Sequence, residues 1–446
     1  MKKTKKARIS QCMIVKNEEA VIMQALSWGK GIVSEQIVVD TGSTDRTVEI
    51  AEQMGAKVYH FTWIDDFAAA KNFALSKARY EWIAFLDADE YFPMEDAKRL
   101  LALVKELQDS EFHGILAGRA NVDNKGNIMA VNTQCRVFRN LPALKFIRRI
   151  HEHLNMSDGT LLRMADAVEL LTMYHTGYGE MESGKKAGRN LKLIQAELAD
   201  HPDDYEMWGY LGQEYEIRDE WEEAVKAFRK AMDLMPEIEK GSYDVPTSLA
   251  ALRLLESVIH CKDVTEEEIN RTYEEVIAVW PEEADYDYTM GKYYALKGNF
   301  PAAEKHLTRA VQLLEQYGNM AKAMMLSGEI RSAYELLSVS CYNNENMAGC
   351  VRYATLLLKE DPHLMNTLMV LLKAFHEDPV TASKGEEGLL EIVSFLGNFY
   401  NLQELEERLF VLKGAMIAGY PELAIVLRRL FVSEEPSAAD QALNRE

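Results

Sequence analysis

The chain has 446 residues, 48% hydrophobic and 27% charged, with a formal net charge of −21, enough for two or three domains with full cores. No apolar run reaches the roughly 18 residues of a membrane span. The excess negative charge falls beyond residue 190, since residues 1–190 carry 26 basic and 25 acidic side chains, and this excludes nucleic acid as a natural partner of the C-terminal half.

In chain order, Ile9 to Val15 reads as a buried strand, and Lys16-Asn17-Glu18-Glu19 as a polar turn opening a helix that runs to about Trp28. Gln36 to Asp40 is a second strand that ends on a carboxylate. Thr41-Gly42-Ser43-Thr44-Asp45 follows as a tight turn, and Thr44 or Asp45 can cap the helix to Met54. Lys57 to Phe61 is a third strand and Phe67 to Ala78 a helix carrying Lys71 and Asn72. Trp82 to Leu86 is a fourth strand that runs straight into Asp87, Asp89 and Glu90. This β-α alternation indicates an α/β domain with a parallel sheet.

Right-handed crossovers place the C-terminal ends of such strands on one edge. Asn17 and Glu18, then Asp40, then Asp87 and Asp89 should therefore converge where open α/β sheets bind ligands. An Asp closing the second strand can accept hydrogen bonds from a ribose or a base edge. Two hard carboxylates at Asp87 and Asp89 suit Mg²⁺ or Mn²⁺, and such a metal suits a diphosphate. There is neither a G-x-G-x-x-G after the first strand nor a G-x-x-x-x-G-K-[ST], which removes dinucleotide and P-loop folds.

Farther on, Gly114 to Gly118 and Thr133 to Phe138 read as short strands, and Phe146 to His153 as a third with His151 and His153 on one face. The H-x-H spacing has no Cys or further carboxylate at ligand distance, so zinc is set aside. From Lys185 the pattern turns helical. Trp208-Gly209-Tyr210-Leu211-Gly212-Gln213-Glu214-Tyr215, with Ala224, Phe228, Ala231 and Pro236, follows the tetratricopeptide pattern. Met290-Gly291, Tyr294, Ala303, Leu307 and Ala310 repeat its offsets, and Tyr334 to Pro362 gives a looser copy. Another helix pair is expected from Tyr243 to Trp280, capping helices over 386–432, and a disordered tail from Ser433. Cys12, Cys135, Cys261, Cys341 and Cys350 are odd in number and lack C-x-x-C spacing, as reduced thiols of a cytoplasmic protein would. The basic start, Met1 to Arg8, lacks the apolar segment of a signal peptide and reads as a solubilising tail.

Asn17-Glu18-Glu19, Val38 to Asp45, Ala70-Lys71-Asn72 and Leu86-Asp87-Ala88-Asp89-Glu90 together resemble the successive motifs of family 2 glycosyltransferases. Those are inverting enzymes of the GT-A fold that use nucleotide sugars. Thr41 stands where the family often has a second Asp. The resemblance implies a GT-A-like nucleotide-sugar-binding domain over residues 1–184, followed by an all-α tetratricopeptide-repeat solenoid over 185–432 and a tail over 433–446. It implies that Asp40 contacts the nucleotide base, Asp87 the ribose or the metal, and Asp89 the metal. Asn17, Glu18 and Lys71 would join the nucleotide-sugar site. His175, in Tyr174-His175-Thr176-Gly177-Tyr178, would complete the metal shell, with Glu152 as the catalytic base.

The pairing of the two domain types is similar to that of the glycocin peptide S-glycosyltransferases, and the His-Glu pair also resembles lipopolysaccharide-core glycosyltransferases. The implied activity is metal-dependent, inverting transfer from a nucleoside-diphosphate donor, a UDP-sugar, to a peptide, protein or glycan acceptor. The repeats would select the acceptor and offer a surface for a homodimer. The alternative is a non-catalytic interaction protein with a decayed transferase domain, against which the intact Asp40, Asp87, Asp89 and Glu152 count. A nucleotidyltransferase would bring a Gly-rich basic loop early in the chain, and none is present.

Overall fold

The computed structural model describes residues 8–123, 125–176, 183–242, 246–318 and 322–431. The start expected as a solubilising tail (Met1 to Ala7), Gly177, Tyr178, Tyr243 and the tail from Ser433 lie outside the described residues. The chain divides into two compact units, Met1–Glu214 and Tyr215–Glu446.

The first unit contains β1 (Ile9–Val15), α1 (Ile22–Ser27), β2 (Glu35–Asp40), α2 (Thr47–Gln53), β3 (Lys57–His60), α3 (Phe67–Lys77), β4 (Trp82–Phe85), β5 (Glu90–Tyr91) and α4 (Met94–Glu106). It continues with β6 (Gly114–Val122), β7 (Ile128–Arg139), β8 (Leu144–Ile147), β9 (His153–Met156), β10 (Met164–Asp166), β11 (Thr172–His175), α5 (Ser183–Asp200) and α6 (Tyr205–Glu216). The main sheet has the order β3-β2-β1-β4-β7-β6-β11-β5, with β10 also on β6. β1 pairs in parallel with both β2 and β4, bringing Val15 opposite Asp40 and Cys12 opposite Phe85. The strands from β3 to β4 thus end on one edge, as the β-α alternation requires.

β1 and β4 are buried on both faces and read as continuous apolar runs for that reason. Cys12, Ile37, Val39, Ile83 and Phe85 pack against Ala68, Ala74 and Leu75 of α3. On the other face Met13, Val15 and Val38 meet Ile22, Ala25 and Leu26 of α1. Asp66 caps α3 by accepting the Ala69 N–H at 2.7 Å. Beyond β4 the sheet turns mixed: β7 runs antiparallel to β4 and β6, and β5 antiparallel to β11, setting His175 opposite Glu90.

The single strand expected over Phe146 to His153 is a hairpin. β8 and β9 pair antiparallel, with Ile147 opposite His153, and residues 148–152 form the connection. Arg148 (φ 72°) and His151 (φ 52°) occupy the left-handed region there, which no strand can contain. His151 and His153 therefore do not share a strand face, and Glu152 sits on a loop.

The second unit begins within α6 and holds α7 (Trp221–Leu234), α8 (Pro246–His260), α9 (Glu266–Val279), α10 (Ala284–Leu296), α11 (Phe300–Tyr317), α12 (Met324–Gly328) and α13 (Ile330–Asn343). α14 (Met347–Glu360), α15 (Met365–Glu377), α16 (Pro379–Ser383), α17 (Glu386–Leu396), α18 (Leu405–Ile417) and α19 (Pro421–Phe431) complete it. Among the described residues it is all-helical, and its run of short helices fits a tetratricopeptide-like solenoid. The small and bulky positions of the repeat pattern are its core: Ala224, Phe228, Ala231, Ala303, Leu307, Ala310, Leu337, Cys341, Cys350, Ala354 and Leu357 are all buried. Among the described residues no helix is long and apolar enough to cross a membrane.

The start of α10 buries three carboxylates, and each has a different solution. Asp285 caps α12, accepting the Met325 and Leu326 N–H groups at 2.8 Å each. Asp287 accepts from the Tyr273 hydroxyl at 2.8 Å and pairs with His306 and Arg309. Glu283 is held differently: burial, reinforced by Asp285 and only partly offset by Lys322, pushes its carboxyl up to about 8.

Two predictions follow from the helical packing. A Cβ on Gly291 would lie 2.5 Å from Leu307 Cγ, so Gly291→Ala should destabilise this unit by about 1–3 kcal/mol, less up to about 1 kcal/mol of helix propensity. Denaturant titration of the full chain reads this, and adding Leu307→Val should recover part of the loss. For Glu283 the folded-state pKa near 8 exceeds the ordinary value of 4.5, so the folded state binds the extra proton between them. Stability should therefore fall as pH rises from about 5 to 8. Thermal melts of Glu283→Gln should show a flatter pH dependence across that window.

Candidate active site

At the ends of β1 and β2 two loops are laced together by their polar groups. Asn17 takes a left-handed conformation (φ 59°), and its Oδ1 accepts the Thr44 N–H at 2.8 Å. The Asn17 N–H donates to Ser43 Oγ at 2.9 Å, Glu18 N–H to Thr47 Oγ1 at 2.7 Å, and Glu19 N–H to Asp45 at 3.1 Å. Asp40 organises the turn from the other side. Its carboxylate accepts the Ser43 and Gly42 N–H groups at 2.9 and 3.2 Å and lies 3.3 Å from His60 Nδ1. Burial alone would raise Asp40, but the donors from Ser43, His60 and Gly42 outweigh it and hold the carboxyl below its usual range.

At the end of β4 the charges form a continuous chain. Glu90 is fully buried and accepts from Arg119 Nε and Arg136 Nη2 at 2.8 Å each. Its second oxygen receives the Asp87 N–H at 3.1 Å, which fixes the Asp87-Ala88-Asp89 turn. Arg136 also reaches Asp87 Oδ2 at 2.6 Å. Burial would raise the Asp87 carboxyl, but Arg136, Lys71, Arg119 and His175 together keep it well below the usual carboxylate range. Lys71, 3% exposed, places its ammonium 3.7 Å from Asp87 and 2.5 Å from Glu152 Oε1, between the Phe85 and Phe146 rings. Three residues far apart in sequence thus meet in the order Asp87, Lys71, Glu152.

Asp89 faces away from that chain, toward β11. Its carboxylate lies 3.2 Å from His175 Nε2, while His175 Nδ1 is 3.0 Å from Asn121 Oδ1. The Asp89 carbonyl accepts both the N–H and the hydroxyl of Thr176. Of the three metal donors named from the sequence, Asp89 and His175 are brought together, and Asp87 is engaged by Arg136. No cluster of three or more His, Cys, Asp or Glu metal donors occurs among the described residues.

Arg119, Asn121 and Arg136 escaped the sequence reading, and Glu90 appeared there only as part of the acidic turn. Arg119 lies in Gly114–Val122, a strand whose other residues apart from Asn121 are apolar or glycine, with buried neighbours on either side. A cation in such a run needs a buried counter-charge, and that was the available signal.

Comparison with known proteins gives the geometry a family. Residues 10–170 match the model described as Glycosyl transferase family 2. A TPR repeat-containing protein of Synechococcus elongatus is 33% identical over 216 residues, 46% of this chain and 52% of that protein. The SPbeta prophage-derived glycosyltransferase SunS of Bacillus subtilis is 26% identical over 226 residues, 50% of this chain and 52% of that protein. An uncharacterized glycosyltransferase of Rickettsia felis is 46% identical over 102 residues, 23% of this chain and 32% of that protein. The chain spans about half the length of the first two of these relatives. Its mixed sheet, the carboxylates at the strand ends and the family match agree: residues 10–170 form a GT-A-like glycosyl transferase family 2 domain, and an all-helical, tetratricopeptide-like region follows it.

Proposed function

We propose that this chain transfers a sugar, with inversion, from a nucleoside-diphosphate donor such as a UDP-sugar to a peptide, protein or glycan acceptor. The observation that carries the reading is the meeting of Asp87, Lys71 and Glu152 beside Asp89 and His175, at the C-terminal end of a parallel strand. Donor recognition falls to the laced loops. Asp40 and Asn17 hold a rigid polar rim in which Asp40 accepts from the base or ribose, and Glu18 joins the nucleotide-sugar site beside Asn17. Asp87, kept ionised by its cations, accepts from a ribose hydroxyl.

Asp89 and His175 suit a divalent cation. Their donor atoms lie 3.2 Å apart, close enough for one ion to be held by both. With its Nδ1–H given to Asn121 Oδ1, His175 would present Nε2 as a ligand beside the Asp89 carboxylate. Mg²⁺ or Mn²⁺ held by these two residues would offset charge on the leaving diphosphate. Glu152 takes the acceptor's proton as the acceptor attacks from the side opposite the diphosphate. Lys71 joins Glu152 to the donor side and fixes the carboxylate's position.

The helical unit selects the acceptor in this reading. It contains a cleft of about 670 Å³ lined by Tyr288, Lys292, Glu329, Ser340, His363 and Asn366. Ser340 Oγ is buried there without a partner among the described residues.

Asp89→Asn should reduce nucleoside-diphosphate release from a panel of UDP-sugars by roughly 10²-fold or more and abolish its dependence on added Mn²⁺. Wild-type turnover and metal dependence in the mutant would remove Asp89 from the metal site. Glu152→Gln, nearly isosteric but unable to act as a base, should cut transfer by roughly 10²–10⁴-fold while calorimetry finds nucleotide affinity unchanged. A thiol acceptor, with an ordinary pKa of about 8.5, should show partial rescue at raised pH. Equal loss of nucleotide affinity would instead make Glu152 a binding residue.

A further inference from the structure

The loop that carries Glu152 does not hold itself. Arg148 and His151 are both left-handed although neither is glycine, so contacts from outside must impose that conformation. On the sheet side Asn72 brackets Phe146, donating to its carbonyl at 2.8 Å and accepting its N–H at 3.0 Å. The Phe67 N–H donates to the Arg149 carbonyl at 2.8 Å. Besides the Arg148 contact with His153 at 3.4 Å, the charged and stacking contacts on the loop among the described residues come from α5, α6 and the turn between them. Arg148 forks onto Asp204, with Nε and Nη2 at 2.7 and 2.9 Å from its two oxygens, and also pairs with Glu206. The Arg149 N–H donates to Glu197 Oε2 at 2.8 Å, and its guanidinium pairs with Asp200. The His151 ring stacks flat on Tyr210, with centroids 3.7 Å apart and an interplanar angle of 1°.

We infer that Arg148, Arg149 and Tyr210 are positioning residues for Glu152: α5 and α6 clamp the 148–152 loop so that the carboxylate meets Lys71 beside Asp87. This rests on Glu152 being the base. Arg148 supplies direction, because a planar fork on one carboxylate fixes orientation as a single cation cannot. Tyr210 supplies the plane against which His151, the residue preceding Glu152, is laid. When the clamp loosens, the donor site, built on the ends of β1, β2 and β4, keeps its geometry and the base loses its own.

The test uses the full chain, with nucleoside-diphosphate release from the best of a UDP-sugar panel as readout. Tyr210→Ala and Arg148→Lys should each lower kcat by roughly 10–10²-fold, the effect of a small misplacement of a reacting group. The donor KM should stay within about twofold, since binding and chemistry are separated in this geometry. Tyr210→Phe, which keeps the stacked ring, should restore kcat. In a Glu152→Gln background neither substitution should lower kcat further, because both act only through that carboxylate. An additive loss in the double mutants, an unchanged kcat, or a fall in kcat that Tyr210→Phe shares would overturn the clamp. Wild-type turnover by Glu152→Gln alone would instead overturn the base assignment, a result distinct from any of these.

Discussion

The site depends on the burial of Glu90 between two guanidiniums. A fully buried carboxylate is costly unless paired and hydrogen-bonded, and Glu90 is both, through Arg119, Arg136 and the Asp87 N–H. Replacing either arginine would leave the buried carboxylates short of positive charge, a change that costs about 3–5 kcal/mol in comparable pairs. The arrangement ties three separate strands, β5, β6 and β7, to the turn that follows β4. It decides which way Asp87 and Asp89 point, and without it that turn would be an ordinary acidic loop.

The remainder of the site divides its labour by the kind of backbone that holds each part. Parallel strands deliver Asn17, Asp40 and Asp87 to one edge at fixed spacing, and backbone amides satisfy the carboxylate at Asp40. The hairpin of β8 and β9 approaches from elsewhere and brings Glu152 on a loop. Lys71 links the two sets from inside α3, where its stem is buried against Phe85 and Phe146 and its ammonium has two carboxylates in reach. One cation serving two anions needs no further counter-charge, which explains how a lysine stays 3% exposed.

What the sequence made legible was what local pattern encodes. The first four strands, the helices between them and the carboxylates at their ends follow from short-range periodicity and turn chemistry. The repeat positions of the helical unit are legible for the same reason, since small and bulky residues recur at fixed offsets along each helix pair. Arg119 and Arg136 were not legible as site residues, because their partners lie 29 and 46 positions away at Glu90 and only the mixed sheet order brings them together. The segment around Glu152 misled for a local reason. Phe146, Ile147 and Ile150 are strand-forming residue types, and nothing in Arg148 or His151 announces a left-handed backbone. Lys71 was named from the sequence as a candidate cation, but its buried pairing with Glu152 required the tertiary structure.

The contact boundary after Glu214 falls inside α6, which runs from Tyr205 to Glu216. The helical pattern begins near Lys185, yet α5 and most of α6 belong to the sheet unit. A chimera that joins this sheet to a foreign repeat array at the start of the helical pattern would discard the partners of Arg148, Arg149 and His151. Exchange of arrays between such proteins, by recombination or by design, has its natural joint later, in the turn before α7. The first two helices then stay with the sheet they pack on, and the helices from α7 onward can be exchanged without removing a partner of the 148–152 loop.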